Sequence, residues 1–194
     1  MNKPLKSSLI NSLTPPSTGF MSTDAFKQWF GNSKVVDPNG KPLVIYHGGH
    51  FKADEFEGFD PELTDPENDL GAGFYFTTSK KDAEGYDYNR EYDEPQVLSV
   101  FVSLQNPYVL GESPKIEGFE SEEGMESFRA AIQQQGYDGI IDKTVNTRFA
   151  DEEYHPGEGV WHIVAFYPEQ IKSATSQDGN FFKPDDKKLG INMR

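Results

Sequence analysis

The sequence contains no cysteine. That excludes a disulfide framework, a thiolate metal centre and a cysteine nucleophile together, and it is compatible with a reducing compartment. Cations are scarce: 18 Lys and Arg stand against 32 Asp and Glu in 194 residues, a formal charge of −14. A general nucleic-acid surface needs clustered Lys and Arg to displace counterions, so this balance argues against one. Long apolar runs are missing as well. The longest, Val97 to Leu104, falls far short of the ~18 residues of a membrane span. The amino terminus carries Lys3 and Lys6 without the ~7–15 apolar residues of a secretory signal. The expectation is a cytoplasmic protein with no membrane partner. Neither a Walker loop nor a Gly-x-Ser-x-Gly elbow occurs. Gly71 and Gly73 lack the third glycine of a dinucleotide fingerprint, because position 76 is Phe76. His47 and His50 are three apart, as metal ligands can be, but no third ligand has a diagnostic spacing, so no metal is assigned.

What is present supports a core: 35% of residues are hydrophobic and 13% aromatic. Residues 1–22, rich in Ser, Pro and Asn, read as a leader, residues 23–182 as one domain and residues 183–194 as a polar tail. Ser22 or Thr23 can cap a helix burying Phe26, Trp29 and Phe30 before Gly31 ends it. Val35, Val36 and Leu43 to Tyr46 flank Asp37 to Lys41, a turn sequence that predicts a hairpin running into His47, Gly48 and Gly49. The segment from Phe51 to Leu70 holds eight carboxylates and reads as a solvated loop or as a flap over a pocket. Gly71 to Thr78 reads as a strand entered through glycines. Ser79 then caps a helix from Lys80 to about Tyr88, whose first turn, with Lys80 and Lys81, is a candidate anion site.

Val97 to Leu104 alternates as a strand that Tyr108 to Leu110 extends or restarts. A helix capped by Ser121 carries Met125, Phe128 and Ile132, and Gly136 stops it. Tyr137 to Asp142 is a short strand, residues 143–159 are polar loop, and Val160 to Tyr167 is the last strong strand. Short strands that do not alternate regularly with helices favour an α+β fold with antiparallel sheets.

His47 at one strand end, Tyr75 on another strand, Tyr86 eleven residues later and the strand from Trp161 to Tyr167 resemble, in order and type, the His-Tyr-Glu branch of the ADP-ribosyltransferases. Diphtheria-type toxins and poly(ADP-ribose) polymerases share that branch. The blocks Phe26 to Asp37, Pro42 to Gly48, Gly73 to Thr77, Gly136 to Ile141 and Phe166 to Ala174 are similar to the ADP-ribosyltransferase domains of phage polyvalent proteins and related bacterial mobile elements. The resemblance implies an α+β split β-sandwich of two antiparallel sheets with short flanking helices, gripping NAD⁺ as substrate in a cleft. It implies that His47 bonds a ribose hydroxyl of the adenosine half, that the backbone of Gly48 holds the carboxamide, and that Tyr75 and Tyr86 sandwich the nicotinamide. Phe76 and Lys80 complete the expected binding set.

The resemblance places His162 where a catalytic glutamate is expected. Glu158, Glu169 and Gln170 are the alternative sources of the missing polar group, with Glu169 taken into the catalytic set beside His47, Tyr75 and His162. Loss of the glutamate goes, in the family, with transfer of single ADP-ribose units, which implies a mono-transferase. Two other readings are an inactive NAD⁺ or ADP-ribose binding module and an acidic decoy of nucleic-acid-binding proteins. Negative charge steers toward a basic protein acceptor in preference to nucleic acid. Lys52, Lys80, Lys81 and Arg90 are the expected cations for the NAD⁺ phosphates. The resemblance also implies a toxin or effector acting in a bacterial or phage-infected cytoplasm, or in a cell to which it is delivered.

Overall fold

A computed structural model describes residues 18–53, 55–86, 96–116, 125–149 and 154–181. Most of the expected leader and all of the tail lie outside these, as do Arg90, Ser121 and the end of the helix expected to reach Tyr88. Two short helices open the described chain, α1 at Thr18–Ser22 and α2 at Asp24–Phe30. The Thr23 hydroxyl accepts from the amide of Phe26, and Gly31 ends α2 at φ 53, so the predicted cap and stop are both used. Residues 18–22, read as leader, are helical instead: Phe20 is buried with its ring 5.0 Å from that of Phe26. Phe26 in turn meets Phe101 edge-on at 5.1 Å.

The strands are β1 (Ile45–Gly48), β2 (Phe74–Thr77), β3 (Val97–Val102), β4 (Tyr108–Leu110), β5 (Gly139–Asp142), β6 (His162–Ala165) and β7 (Ile171–Ser173), with α3 at Lys80–Glu84, α4 at Met125–Gln134 and α5 at Val145–Arg148. The fold is α+β, but the expectation of two antiparallel sheets is corrected. The strands form one seven-stranded sheet in the order β4-β5-β6-β2-β1-β3-β7, and β4 pairs β5 in parallel. That parallel pair follows from the connection, because a chain returning in the same direction must cross over, and α4 is the crossover. The expected hairpin is reduced to one bridge between Val36 and Pro42. The expected loop 143–159 includes α5, and the helix after Ser79 is only the five residues of α3.

Central strands are buried on both faces, as β6 is along its whole length. On one face Ile45, Phe76, Val100 and Ile163 build a core over which Phe51, Phe56 and Phe59 pack. On the other, Ile140, Val164 and Phe166 pack with Phe128 and Ile132 of α4. The acidic segment is therefore more than a solvated loop: Phe51, Phe56 and Phe59 pack on the sheet while its described carboxylates are exposed.

Where β1 meets β2 the ladder nearly stops. Only Tyr46 and Thr77 are paired there, so the halves β7-β3-β1 and β2-β6-β5-β4 are joined at a single register position. That junction positions the site.

Candidate active site

A cleft of about 650 Å³ lies at this junction, within the size range of small-ligand sites. Its sides are His47, Gly48, Tyr75, Phe76 and Thr77 from β1 and β2, Phe51, Phe59, Asp60, Asp65 and Asp69 from the covering segment, and Tyr86, Phe149, Tyr154 and His162. Sequence-predicted residues from three distant stretches thus converge.

His47 Nδ1–H donates to the carbonyl of Tyr75 at 2.8 Å, a side-chain bond across the gap that the backbone ladder leaves. The ring is stacked on Phe51 at 5.5 Å and meets Phe59 edge-on at 5.1 Å. Burial pushes this imidazole below its ordinary pKa, and the Tyr75 carbonyl only partly opposes it. His47 is consequently neutral at pH 7, with its lone pair on Nε2, an acceptor for a ligand hydroxyl.

Tyr75 is half-buried. Its hydroxyl donates to the Gly71 carbonyl at 2.6 Å and accepts from the Leu70 amide at 3.0 Å, and burial raises its pKa. The phenol is thereby an anchor for the end of the covering segment, and the side chain lines the cleft while packing against the cluster of Leu70, Phe128 and Val164. Phe76 is buried and contacts Phe59 at 5.5 Å. Tyr86 stands at the mouth, 36% exposed.

Gly48 has a structural cause the sequence reading missed. A Cβ there would lie 1.8 Å from the carbonyl oxygen of Ala83, so α3 sits on the backbone of β1 and the missing side chain makes room for protein.

His162 is buried, and its Nε2 lies 3.1 Å from Asp82 Oδ2 and 3.1 Å from the Tyr154 hydroxyl. Tyr154 donates to the other Asp82 oxygen, Thr77 bonds the same carboxylate, and the Tyr86 hydroxyl is 3.2 Å from that of Tyr154. Burial acts to raise the Asp82 pKa, but the bonds from His162, Tyr154 and Thr77 outweigh it and hold the group below its usual range. Burial, followed by Asp82, pushes the Tyr154 phenol up. The carboxylate is the ionised centre of this cluster.

Asp82 and Tyr154 were not singled out from sequence. The Ser79-Lys80-Lys81-Asp82 order is a capping-box pattern, in which Asp82 would turn back to its own helix. Only the fold turns it toward His162.

Other expected residues lie elsewhere in the structure. Glu169 is exposed beyond the far end of β6, outside the cleft, with its backbone carbonyl accepting from Trp29 Nε1 at 2.8 Å. Glu158 is exposed in a turn. Gln170 is committed to the Phe166 and Tyr167 amides and to the Asp138 carbonyl, at 2.9, 2.9 and 2.7 Å. Lys80 and Lys81 are not among the lining residues, and Lys52 pairs with Glu55 at 3.2 Å. Among the described lining residues there is no Lys or Arg, whereas Asp60, Asp65 and Asp69 form an acidic rim. Just outside, Arg148 joins buried Asp142 at 2.9 Å and rim Asp69 at 3.6 Å.

An α+β sheet whose halves join beside a fixed histidine and an adjacent tyrosine, over an aromatic cleft, has the layout of an ADP-ribosyltransferase-type domain. The family model for the ADP-ribosyltransferase in polyvalent proteins matches residues 37–181, and the chain belongs to that family. No curated protein matches the chain. Enzymes of this kind use NAD⁺ as substrate and are transferases. Among the described residues, no helix is long and apolar enough to cross a membrane, and no group of three or more His, Asp or Glu is placed to hold a metal ion.

Proposed function

We propose that residues 23–182 form a mono-ADP-ribosyltransferase that cleaves the nicotinamide–ribose bond of NAD⁺ and transfers ADP-ribose to a basic protein. The observation that carries this reading is that His47, with Nδ1–H held by the Tyr75 carbonyl and Nε2 left for a ligand, lines one cleft together with Tyr75, Phe76 and Tyr86. Aromatic faces suit the cationic pyridinium of the substrate. His47 accepts a bond from a ribose hydroxyl, Tyr75 and Tyr86 bracket the nicotinamide, and the Gly48 backbone meets its carboxamide.

The acidic rim supports single transfers. A growing ADP-ribose chain is a polyanion, and Asp60, Asp65 and Asp69 at the mouth repel it, while a Lys- or Arg-rich acceptor is attracted. Action as an effector in a bacterial or phage-infected cytoplasm, or in a recipient cell, fits this acceptor class.

The test is incubation with labelled NAD⁺ and host lysate. Nicotinamide release and labelled protein are expected, with His47→Ala and Tyr75→Ala both strongly impaired. Label on no lysate component, with no nicotinamide released, defeats the proposal. Because His162 stands in place of a glutamate, the competing reading is a binding module. Calorimetric binding of NAD⁺ without turnover selects it.

A further inference from the structure

Breaking the nicotinamide–ribose bond leaves positive charge on the ribose, and a nearby anion lowers that barrier. The rim carboxylates Asp60, Asp65 and Asp69 are exposed and screened by solvent. Asp82 is different: it is 7% exposed and is gripped by Tyr154, Thr77 and His162. Two of those donors are on rigid rings. The β2–β6 register sets Thr77 opposite His162 and Tyr75 opposite Val164, so His162 and Tyr75 share a face as diagonal neighbours, roughly 7–8 Å apart.

Resting on the transferase reading above, we propose that Asp82 supplies the negative charge of the cleavage step through His162, the pair together doing the work of a single catalytic carboxylate. With His162 in its neutral form, Asp82 accepting from Nε2–H puts the imidazole lone pair on Nδ1. Nδ1 has no protein partner among the described residues. His162 is the catalytic residue and Asp82 its positioning residue, with Tyr154 holding Asp82 from the other side.

In the reaction the bond between the anomeric carbon and the pyridinium nitrogen breaks, and its electron pair leaves with neutral nicotinamide. Nδ1 accepts a hydrogen bond from the neighbouring ribose hydroxyl while the pair, with a net charge of −1, faces the developing cation. The acceptor's lone pair then forms the new bond to the anomeric carbon. The acceptor's proton passes to Nδ1 and from there to water.

The experiment compares the wild-type chain, Asp82→Asn, and the double variant Asp82→Asn with His162→Glu, measuring kcat for nicotinamide release, Kd for NAD⁺ by calorimetry, and thermal midpoint. Asp82→Asn should lower kcat about a hundredfold, the scale for one preorganised electrostatic group, with Kd changed less than about threefold. The double variant puts a carboxylate at position 162 and should recover to within about tenfold of wild type. A purely structural Asp82 would give no such recovery.

A folded Asp82→Asn protein with wild-type kcat overturns the inference, as does a folded double variant no faster than the single. Should Asp82→Asn fail to fold, Tyr154→Phe keeps both Asp82 and His162 and removes one bond to Asp82. It should lower kcat about tenfold at constant Kd, and an unchanged kcat refutes the role of the cluster. Wild type that binds NAD⁺ without releasing nicotinamide overturns both this inference and the transferase reading, whereas an active enzyme indifferent to these substitutions overturns this inference alone.

Discussion

Replacing Gly48 with alanine puts a methyl group where the main chain of α3 already lies. The new Cβ would be 1.8 Å from the Ala83 carbonyl oxygen, so β1 and α3 must separate by at least about 1.2 Å to reach even a tight contact. The obstacle is backbone, and no rotamer change or substitution at position 83 relieves it. Overpacking of this kind costs about 1–3 kcal/mol, which for a domain of this size lowers the thermal midpoint by about 3–10 °C. The functional loss should exceed the stability loss. Asp82 rides on α3, and its 3.1 Å bond to His162 does not survive a shift of that size. Scanning calorimetry and a nicotinamide-release assay on the same preparations measure both effects. Gly49→Ala is the comparison: its Cβ would meet the Phe51 ring at 3.1 Å, a side chain able to swing away, and the cost should stay below about 1 kcal/mol. A Gly48→Ala protein with wild-type midpoint and turnover would refute the claim that α3 is seated on the β1 backbone.

Arg148→Ala removes the charge partner of the fully buried Asp142, whose Oδ2 loses its 2.9 Å bond while Oδ1 keeps the Thr144 amide and hydroxyl; a loss of about 3 kcal/mol is expected in urea unfolding, and a change under 1 kcal/mol would contradict it. Tyr75→Phe keeps the ring but leaves the Leu70 amide without its 3.0 Å acceptor, so stability should fall by about 1–3 kcal/mol while calorimetric NAD⁺ affinity stays within about threefold; a large affinity loss would mean the hydroxyl contacts the ligand. The lowered pKa of His47 predicts a pH effect with a definite sign. The unfolded chain takes up a proton below about pH 6.5 that the folded chain resists, so stability should drop as pH falls from 6.5 toward 5, and His47→Gln should flatten that slope. Asp82 acts in a separate range, its contribution being lost only as pH falls below about 3.8.

Sequence by itself was enough wherever the partners are close along the chain. Thr23 caps Phe26 three residues on, Gly31 ends the helix it follows, and alternating apolar residues mark β3, because such bonds and periods repeat within a turn or a strand. The resemblance in ordered blocks brought His47, Tyr75, Tyr86 and His162 forward as candidates, and all four line the cleft. Sheet order, the parallel β4–β5 pair and the one-position contact between β1 and β2 came only with the tertiary structure, since strand patterns state which residues are buried and not which strand lies alongside. The choice between a solvated loop and a flap over a pocket stayed open in the sequence, because carboxylates are interspersed with Phe51, Phe56 and Phe59, and only the packing of those rings decides it. Asp82, Tyr154 and His162 lie 72 and 80 residues apart along the chain in their bonded pairs. No local period or spacing records a hydrogen bond of that reach, and it exists only once the strands have been brought together.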